Sequence, residues 1–470
     1  MSHLEVPRFP RGFLLADRPV DPPPTFVAGP ILEHFYVHPW TRVEAAGDRD
    51  LFVIVLGHCV PTRLAPEEPP AKLLACLQEG EETFLEALNT YSGRHAIIFG
   101  SAGNIRVVND ATAMRSVFYA KDGGVVASHA LLVERAISGR PVKSDLVFAY
   151  GYPGNRTPYP KTRILTPNTY YWLSAHVVRR FWPLVPPLPR TADSVVSEVL
   201  EAASSALRNM SRSASVKMAL TAGLDSRVIL AVALNSGIDF EAYTYGTNKA
   251  TALDRAFARD LAAHMGIRHT LVAKREKPDG LQSNLNEANY SSHHSGAVPG
   301  LMHYFDLPDT VALTGNLLEI GRSFYKKYRD DRVSPPVDAD SMTNLHYQSM
   351  TPRTKASISD YGLQRYTEAS HEAFQGFLSD TGYDLVSGLI DPFDQFYWEH
   401  RMGVWHGPAL LERDFYGVAF IPFNSRRIFT ALLGVSQAER DESSVFYRLI
   451  ESVEPALLQL PVNPKRWPPK

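Results

Sequence analysis

The sequence predicts an α/β protein in two parts, a β-rich N-terminal sandwich and a C-terminal parallel sheet wrapped by helices and followed by a helical extension. Three observations predict it. Residues 91–137 alternate short β-branched and aromatic runs with Gly, Asn and Asp turn signals, as antiparallel strands do. From residue 193 onward strands alternate with helical stretches of roughly 10–15 residues, the signature of βαβ units. Between the two patterns lies VPPLPR (Val185–Arg190), which sustains neither a helix nor a central strand. The expected division is therefore 1–185 and 190–470.

In the first part the expected strands are FYVHPW, DLFVIVLGH, RHAIIFG, IRVVND, SVFYA and VVASH, with one helix over 70–90 that ends near Leu88. In the second, Asp193 is placed to cap a helix whose apolar positions Val195, Val196, Val199, Leu200, Ala203 and Leu207 recur at helical spacing. SVKMALT reads as a buried strand, followed by the turn Thr221-Ala222-Gly223-Leu224-Asp225-Ser226 and a helix from about Asp225 to Asn235 that stops at Gly237. FEAYTYG, IRHTLVA and TVALTG are the further strands, and ALDRAFARDLAAHMG is an amphipathic helix. Beyond about residue 355 the chain reads as aromatic-rich helices broken at Pro392, Pro408 and Pro422.

Composition narrows the function classes. The 470 residues are long enough for more than one hydrophobic core. With 44% hydrophobic and 21% charged residues the chain has the balance of a globular enzyme. A net charge of −2 offers no basic face for nucleic acid. No 18-residue apolar run reads as a membrane span, and the proline-broken N-terminus has no secretory h-region. Cys59 and Cys76, the two cysteines of the sequence, fit a reducing cytoplasm and make no disulfide framework.

A glycine-containing turn that leaves a buried parallel strand and enters a helix presents backbone N–H groups to one point, backed by the positive end of the helix dipole. It also sits at the carboxyl end of its strand, where open α/β sheets bind ligands. It lacks the Gly-Lys-Ser/Thr of a Walker loop and the G-x-G-x-x-G of a dinucleotide fold. On these six residues alone, an anion site and a plain βα turn with a capping aspartate are both open.

The turn resembles the Ser-Gly-Gly-x-Asp-Ser pyrophosphate loop of the N-type ATP pyrophosphatases, and its surroundings resemble the asparagine synthetase branch with its lactam- and macrolactam-forming relatives. YTYGTNKATALDRAFARDLAAHMGIRHTLV is similar to the strand, helix and Gly-x-x-His step after the loop. ALTGNLLEIGRSFY stands where those proteins carry Leu-Ser-Gly-Glu-Gly-Ala-Asp-Glu, and VFYRLIESVEPALLQLPVNPK resembles their C-terminal Leu-Arg, Leu-Pro and Lys signature. Residues 91–132 resemble the glutaminase-like domain.

The resemblance implies an Ntn-hydrolase-like sandwich for 1–185 and a PP-loop, adenine nucleotide alpha hydrolase-like synthetase domain for 190–470. It implies ATP and Mg²⁺ as cofactors, with Asp225 and Glu319 as metal ligands. Leu220, Thr221, Ala222, Gly223, Leu224, Asp225, Ser226, Tyr245 and Gly315 would bind the nucleotide. Lys465, Glu319 and Asp225 would carry the chemistry, Lys465 as the cation over developing charge. The implied reaction adenylates a carboxylate, releases pyrophosphate and passes the acyl group to an amine: ammonia, a second substrate, or an amine of the same molecule. The partners are then a small-molecule or peptide carboxylate and an amine, with no nucleic acid and no membrane; a homodimer is compatible.

Several residues depart from the pattern. Thr221-Ala222-Gly223 replaces Ser-Gly-Gly, and the Ala222 methyl stands where backbone approaches phosphate. Asn316 replaces the glutamate of asparagine synthetases and the tyrosine of lactam-forming ones. Near FYGVAFIPFNSRRIF only Pro422-Phe423 survives of Glu-x-Arg-x-Pro-Phe, joined by Asn424, Arg426 and Arg427. Residue 2 is Ser where the family's glutaminases expose Cys, so glutaminase activity is expected to be absent. Adjacent His293 and His294 cannot both face one metal from a regular element. Glu399 and Arg401 are candidates for a pocket lining, and His269 and Asp414 read as structural. Two other outcomes stay open: sulfur transfer, which lacks a cysteine beyond Cys76, and a nucleotide-binding module without turnover, favoured by Ala222 and Asn316.

Overall fold

The computed structural model describes residues 6–65, 68–144, 148, 151–246, 251–290, 296–305, 309–329, 333–356, 358 and 360–465. Ser2, His293 and His294 lie outside them. The architecture is the expected α/β one, with antiparallel sheets first and a parallel sheet after.

Two six-stranded antiparallel sheets face each other in the N-terminal part. Period-2 alternation sorts their side chains. Along Phe52–Pro61, Phe52, Ile54 and Leu56 point into the space between the sheets, where they meet Phe13, Leu15, Ala96 and Ile98. Val53 and Val55 point the other way, beneath the helices Pro69–Glu79 and Glu81–Ala87. On the second sheet Leu14 and Ala16 face the helix Ala130–Ser138. The result is four layers, helix on sheet on sheet on helix. The six expected strands all form; the single helix expected over 70–90 is two, split at Gly80, whose φ of 148° leaves helical space.

The passage Val185–Arg190 carries no helix or strand beyond a bridge from Arg190 to Val435, and Leu184, Val185 and Leu188 are exposed. After it come α1 (Ala192–Ser211), β1 (Val216–Ala219), α2 (Leu224–Ser236), β2 (Phe240–Thr244), α3 (Ala252–His264) and β3 (His269–Leu271). Helices α4 (Leu281–Ala288) and α5 (Val298–Phe305) lead to β4 (Val311–Leu313), and β5 (Val418–Phe420) follows much later. All neighbours pair in parallel, in the order β3-β2-β1-β4-β5. Val216, Met218, Val311 and Leu313 pack with α1, α2, α3 and α6 (Ser444–Val453) on one face. Tyr243 and Ala312 pack with α4 and α5 on the other.

Two expectations change. Thr191, not Asp193, caps α1, in a capping box with Ser194, and Asp193 lies in the first turn. Pro408 does not break the helical region: it sits in the first turn of Gly407–Ala409, directly after the π-helical stretch Tyr397–His406, where a missing N–H is tolerated. Glu399 and Arg401, the candidates for a pocket lining, both lie on that stretch. Glu399 is buried against Arg180 at 2.7 and 2.8 Å, and Arg401 stacks on Phe324 and Trp405.

Buried charge joins the sandwich to the rest. Asp414, 0% exposed, receives Arg94 at 3.0 Å and Arg115 at 3.4 Å. Asn424 donates to Asp110 at 2.8 Å, and the Trp398 indole N–H donates to the Ala111 carbonyl at 2.7 Å. Asp414→Asn leaves two guanidinium groups buried without their counter-ion, so it is expected to cost about 3–5 kcal/mol in urea unfolding; a loss below about 1 kcal/mol contradicts this reading of the junction. A pH effect follows from His129 and His346, which burial lowers to about 3 in each case. Both imidazoles are neutral in the fold, while the unfolded chain protonates them below about pH 6.5. Their contribution is present above that value and is lost as the pH falls toward 3, at about 1.4 kcal/mol per pH unit for each histidine. Urea midpoints measured across that range check it.

Candidate functional site

The β1–β4 pairing ends at Met218↔Leu313, and the turns that follow, Leu220–Ser226 and Thr314–Asn316, open side by side. This is the point where the strand order reverses, because β2 lies beyond β1 and β5 beyond β4. A cavity of about 380 Å³ occupies it.

The turn is built from inside out. Leu220, Ala222 and Leu224 point into the core, with Ala222 only 3% exposed. The Ala222 methyl therefore packs inward and does not stand between backbone and ligand. Thr221, Asp225 and Ser226 line the cavity. The Ser226 hydroxyl lies 3.0 Å and 3.1 Å from the Thr221 and Gly223 carbonyls and accepts from the Thr221 N–H at 3.3 Å, which closes the turn on itself. The Gly223 N–H donates to the Thr221 hydroxyl at 3.2 Å, and the Ala222 N–H to Asp254 at 3.1 Å. No side chain caps α2 at Gly223. The orphan N–H groups of its first turn, at Leu224, Asp225 and Ser226, remain as the donors, with the helix dipole behind them.

Gly315 has a steric reason. A Cβ there would stand 2.7 Å from the Asp225 carbonyl oxygen, so only glycine lets the two turns approach. Asp225 is thereby held beside the Leu318–Arg322 turn, which carries Glu319. Arg322 lies between the two acids, its Nη2 2.8 and 2.9 Å from the Asp225 oxygens and 3.7 Å from Glu319. Burial and then the Glu319 charge push Asp225 upward from the usual carboxylate range, against the pull of Arg322.

Of the residues named from sequence, Leu220, Thr221, Asp225, Ser226, Tyr245 and Gly315 line the cavity. Ala222, Gly223 and Leu224 do not, and neither do Glu319 and Lys465. Asn316 does, with its amide where the resembled motif has a carboxylate. Lys465 is exposed, but its segment is brought to the turn. Arg227, 0% exposed on α2, donates to the Leu457, Leu460 and Pro461 carbonyls at 2.8, 2.6 and 2.6 Å. The Asn463 N–H then donates to the Ala222 carbonyl at 3.0 Å. His269 hydrogen-bonds Thr244 at 2.9 Å, a packing role as expected.

Sequence reasoning missed Asp254, Thr251, Arg413, Arg322 and Arg227. The first three line the cavity. Arg413 comes from the segment before β5, and nothing local marks it; Arg322 lies inside ALTGNLLEIGRSFY and Arg227 directly follows the turn, where a basic residue was the signal available.

Residues 196–282 match the asparagine synthase family model, a stretch that holds the whole turn, Asp254 and Arg227. Among solved structures the chain is similar to a glutamine-dependent NAD⁺ synthetase from Acinetobacter baumannii in complex with ADP, at 18% identity and TM-score 0.15, over 28% of this chain and 26% of that one. It is also similar to the glutamine phosphoribosylpyrophosphate amidotransferase of B. subtilis complexed with ADP and GMP, at 10% identity and TM-score 0.21, over 58% of each chain. The chain thus spans about a quarter and under two thirds of these two proteins. No curated protein sequence matches it. No described helix is long and apolar enough to cross a membrane.

Arg227→Met removes the donor to three carbonyls, of which that of Leu457 is buried, and is expected to cost about 1–3 kcal/mol. It should also speed tryptic cleavage at Lys465, because the segment loses its anchor. Unchanged cleavage and stability would show that the C-terminal segment is held by other means.

Proposed function

We propose that the chain is an ATP-dependent ligase that adenylates a carboxylate, releases pyrophosphate and passes the acyl group to an amine. The observation that carries this is the uncapped N-terminus of α2, which opens with Asp225 into the crevice where the strand order reverses. The asparagine synthase match over the same turn supports it.

Three phosphates need donors and a counter-charge. The first-turn N–H groups of α2 supply the donors, and the Thr221 hydroxyl sits beside them. Tyr243 and Tyr245 give the cavity an aromatic wall for the base. The donor chemistry fits Mg²⁺: Asp225 and Glu319 are hard oxygen ligands, and Asp225 Oδ1 is buried without a hydrogen bond. The described residues contain no group of three or more side chains able to hold a metal, so the phosphates and water would complete its shell. When bound, the ion would neutralise charge on the phosphates. Lys465, two residues beyond the Asn463 contact with the turn, would add a cation over the reacting centre.

On this reading the amine comes from solution, a second substrate or the same molecule. The sandwich then serves as a buttress, fixed through Asp414 and Glu399. The division 1–185 and 190–470 and a cytoplasmic location belong to the same proposal.

ATP–pyrophosphate exchange across a panel of amino acids and other carboxylates tests it. One acid should support exchange, and Asp225→Ala should lower the rate by about 10²–10³-fold. Wild-type exchange in the variant would refute the role of Asp225. Mg²⁺-ATP binding with no exchange for any acid would favour a binding module, the reading to which Asn316 points.

A further inference from the structure

We propose that Arg322 is a resident counter-cation: it holds the acidic pair Asp225–Glu319 in the place that Mg²⁺ takes, and turns to the phosphates when nucleotide brings the metal in. The inference rests on the ligase reading of the same site and deepens it. Its consequence is that metal and nucleotide bind cooperatively, and that the free protein excludes divalent ions.

The geometry is that of a displaceable partner. A single nitrogen, Arg322 Nη2, reaches both oxygens of Asp225 at 2.8 and 2.9 Å and faces Glu319 at 3.7 Å. Arg322 Nε is buried with no acceptor, and Asp225 Oδ1 has no hydrogen bond despite the short contact. The planar fork that makes arginine a strong carboxylate partner is thus not used. Arg329 shows the contrast, since it grips Asp391 with two nitrogens at 2.6 and 2.8 Å.

The surroundings fix the backbone that carries the two acids and Arg322. Asp225 is pinned by the close approach of Gly315. The Leu318–Arg322 turn is anchored by buried Leu318 and Ile320 and bounded by Leu317 and Ser323, with φ of 77° and 54°. Both are non-glycine residues in left-handed space, a conformation kept only where the neighbourhood enforces it. Leu317 is fully buried, and Ser323 accepts from Gln437. Two acidic residues are therefore carried next to each other, and the charge that stands between them is the guanidinium. A bare divalent ion must expel it against its attraction to both acids. A polyphosphate on the α2 N-terminus offers the guanidinium new acceptors and so frees the pair.

The test is Mn²⁺ binding to the full chain by electron paramagnetic resonance, with and without a non-hydrolysable ATP analogue, in wild type, Arg322→Met and Arg322→Lys. Without nucleotide, Arg322→Met should bind Mn²⁺ about tenfold tighter than wild type, and Arg322→Lys should resemble wild type. The analogue should tighten Mn²⁺ binding about tenfold in wild type and much less in Arg322→Met. Equal or weaker binding by Arg322→Met, or an undiminished nucleotide effect, would overturn the proposal. Arg322→Gln takes the place of the methionine variant, with the same expectations, should the latter fail to give a cooperative thermal melt. No turnover is read, so failure of pyrophosphate exchange would count against the ligase reading and not against this one.

Discussion

β1 and β4 run side by side from Val216↔Val311 to Met218↔Leu313, and the next strand in the chain lies on one side for β1 and on the other for β4. The connections leaving their carboxyl ends must turn away from each other, which leaves a crevice that no side chain of the sheet fills. The remainder of the site depends on that divergence. Gly315 lets the turns touch at Asp225, the absence of a cap leaves α2 donors directed at solvent, and the inward-facing Leu220, Ala222 and Leu224 lock the turn to the core. Position, dipole and carboxylate thus come from one topological feature.

The site is assembled from distant pieces by buried polar anchors. Arg227 trades three charged hydrogen bonds for the placement of residues 457–463, which have no strand or long helix to hold them. Asp414 and Glu399 do the same for the sandwich, each inside a junction where a missing partner would strand a charge in a low dielectric. Such pairs specify one docking geometry more than they add stability. Arg322 differs from them in using one nitrogen, next to the acids it faces.

Most of the fold was legible because period and punctuation agreed. SVKMALT, the glycine-containing turn and the apolar α2 up to Gly237, whose φ is 64°, form one consistent strand-turn-helix signal. β5 was not legible: Val418–Phe420 is three residues between Gly417 and Pro422, and only its pairing with β4 makes it a strand. Sandwich strands such as Phe13–Ala16 and Thr169–Trp172 were missed as well. In the site, the turn and Asp225 could be read because they are local. Arg322 could not, because its meaning is a contact with a residue 97 positions away. The concern over Ala222 came from treating its methyl as if it faced the ligand, and strand-end alternation points it inward.

The central claim is that polyphosphate sits on the N-terminus of α2 at the β1–β4 crevice. A crystal structure of the full chain with Mg²⁺ and α,β-methylene-ATP tests it most directly. Phosphate oxygens are expected within hydrogen-bond distance of the N–H groups of Leu224, Asp225 and Ser226, with the base toward Tyr245. Nucleotide bound elsewhere, or phosphates directed away from α2 in a fully occupied site, would contradict it.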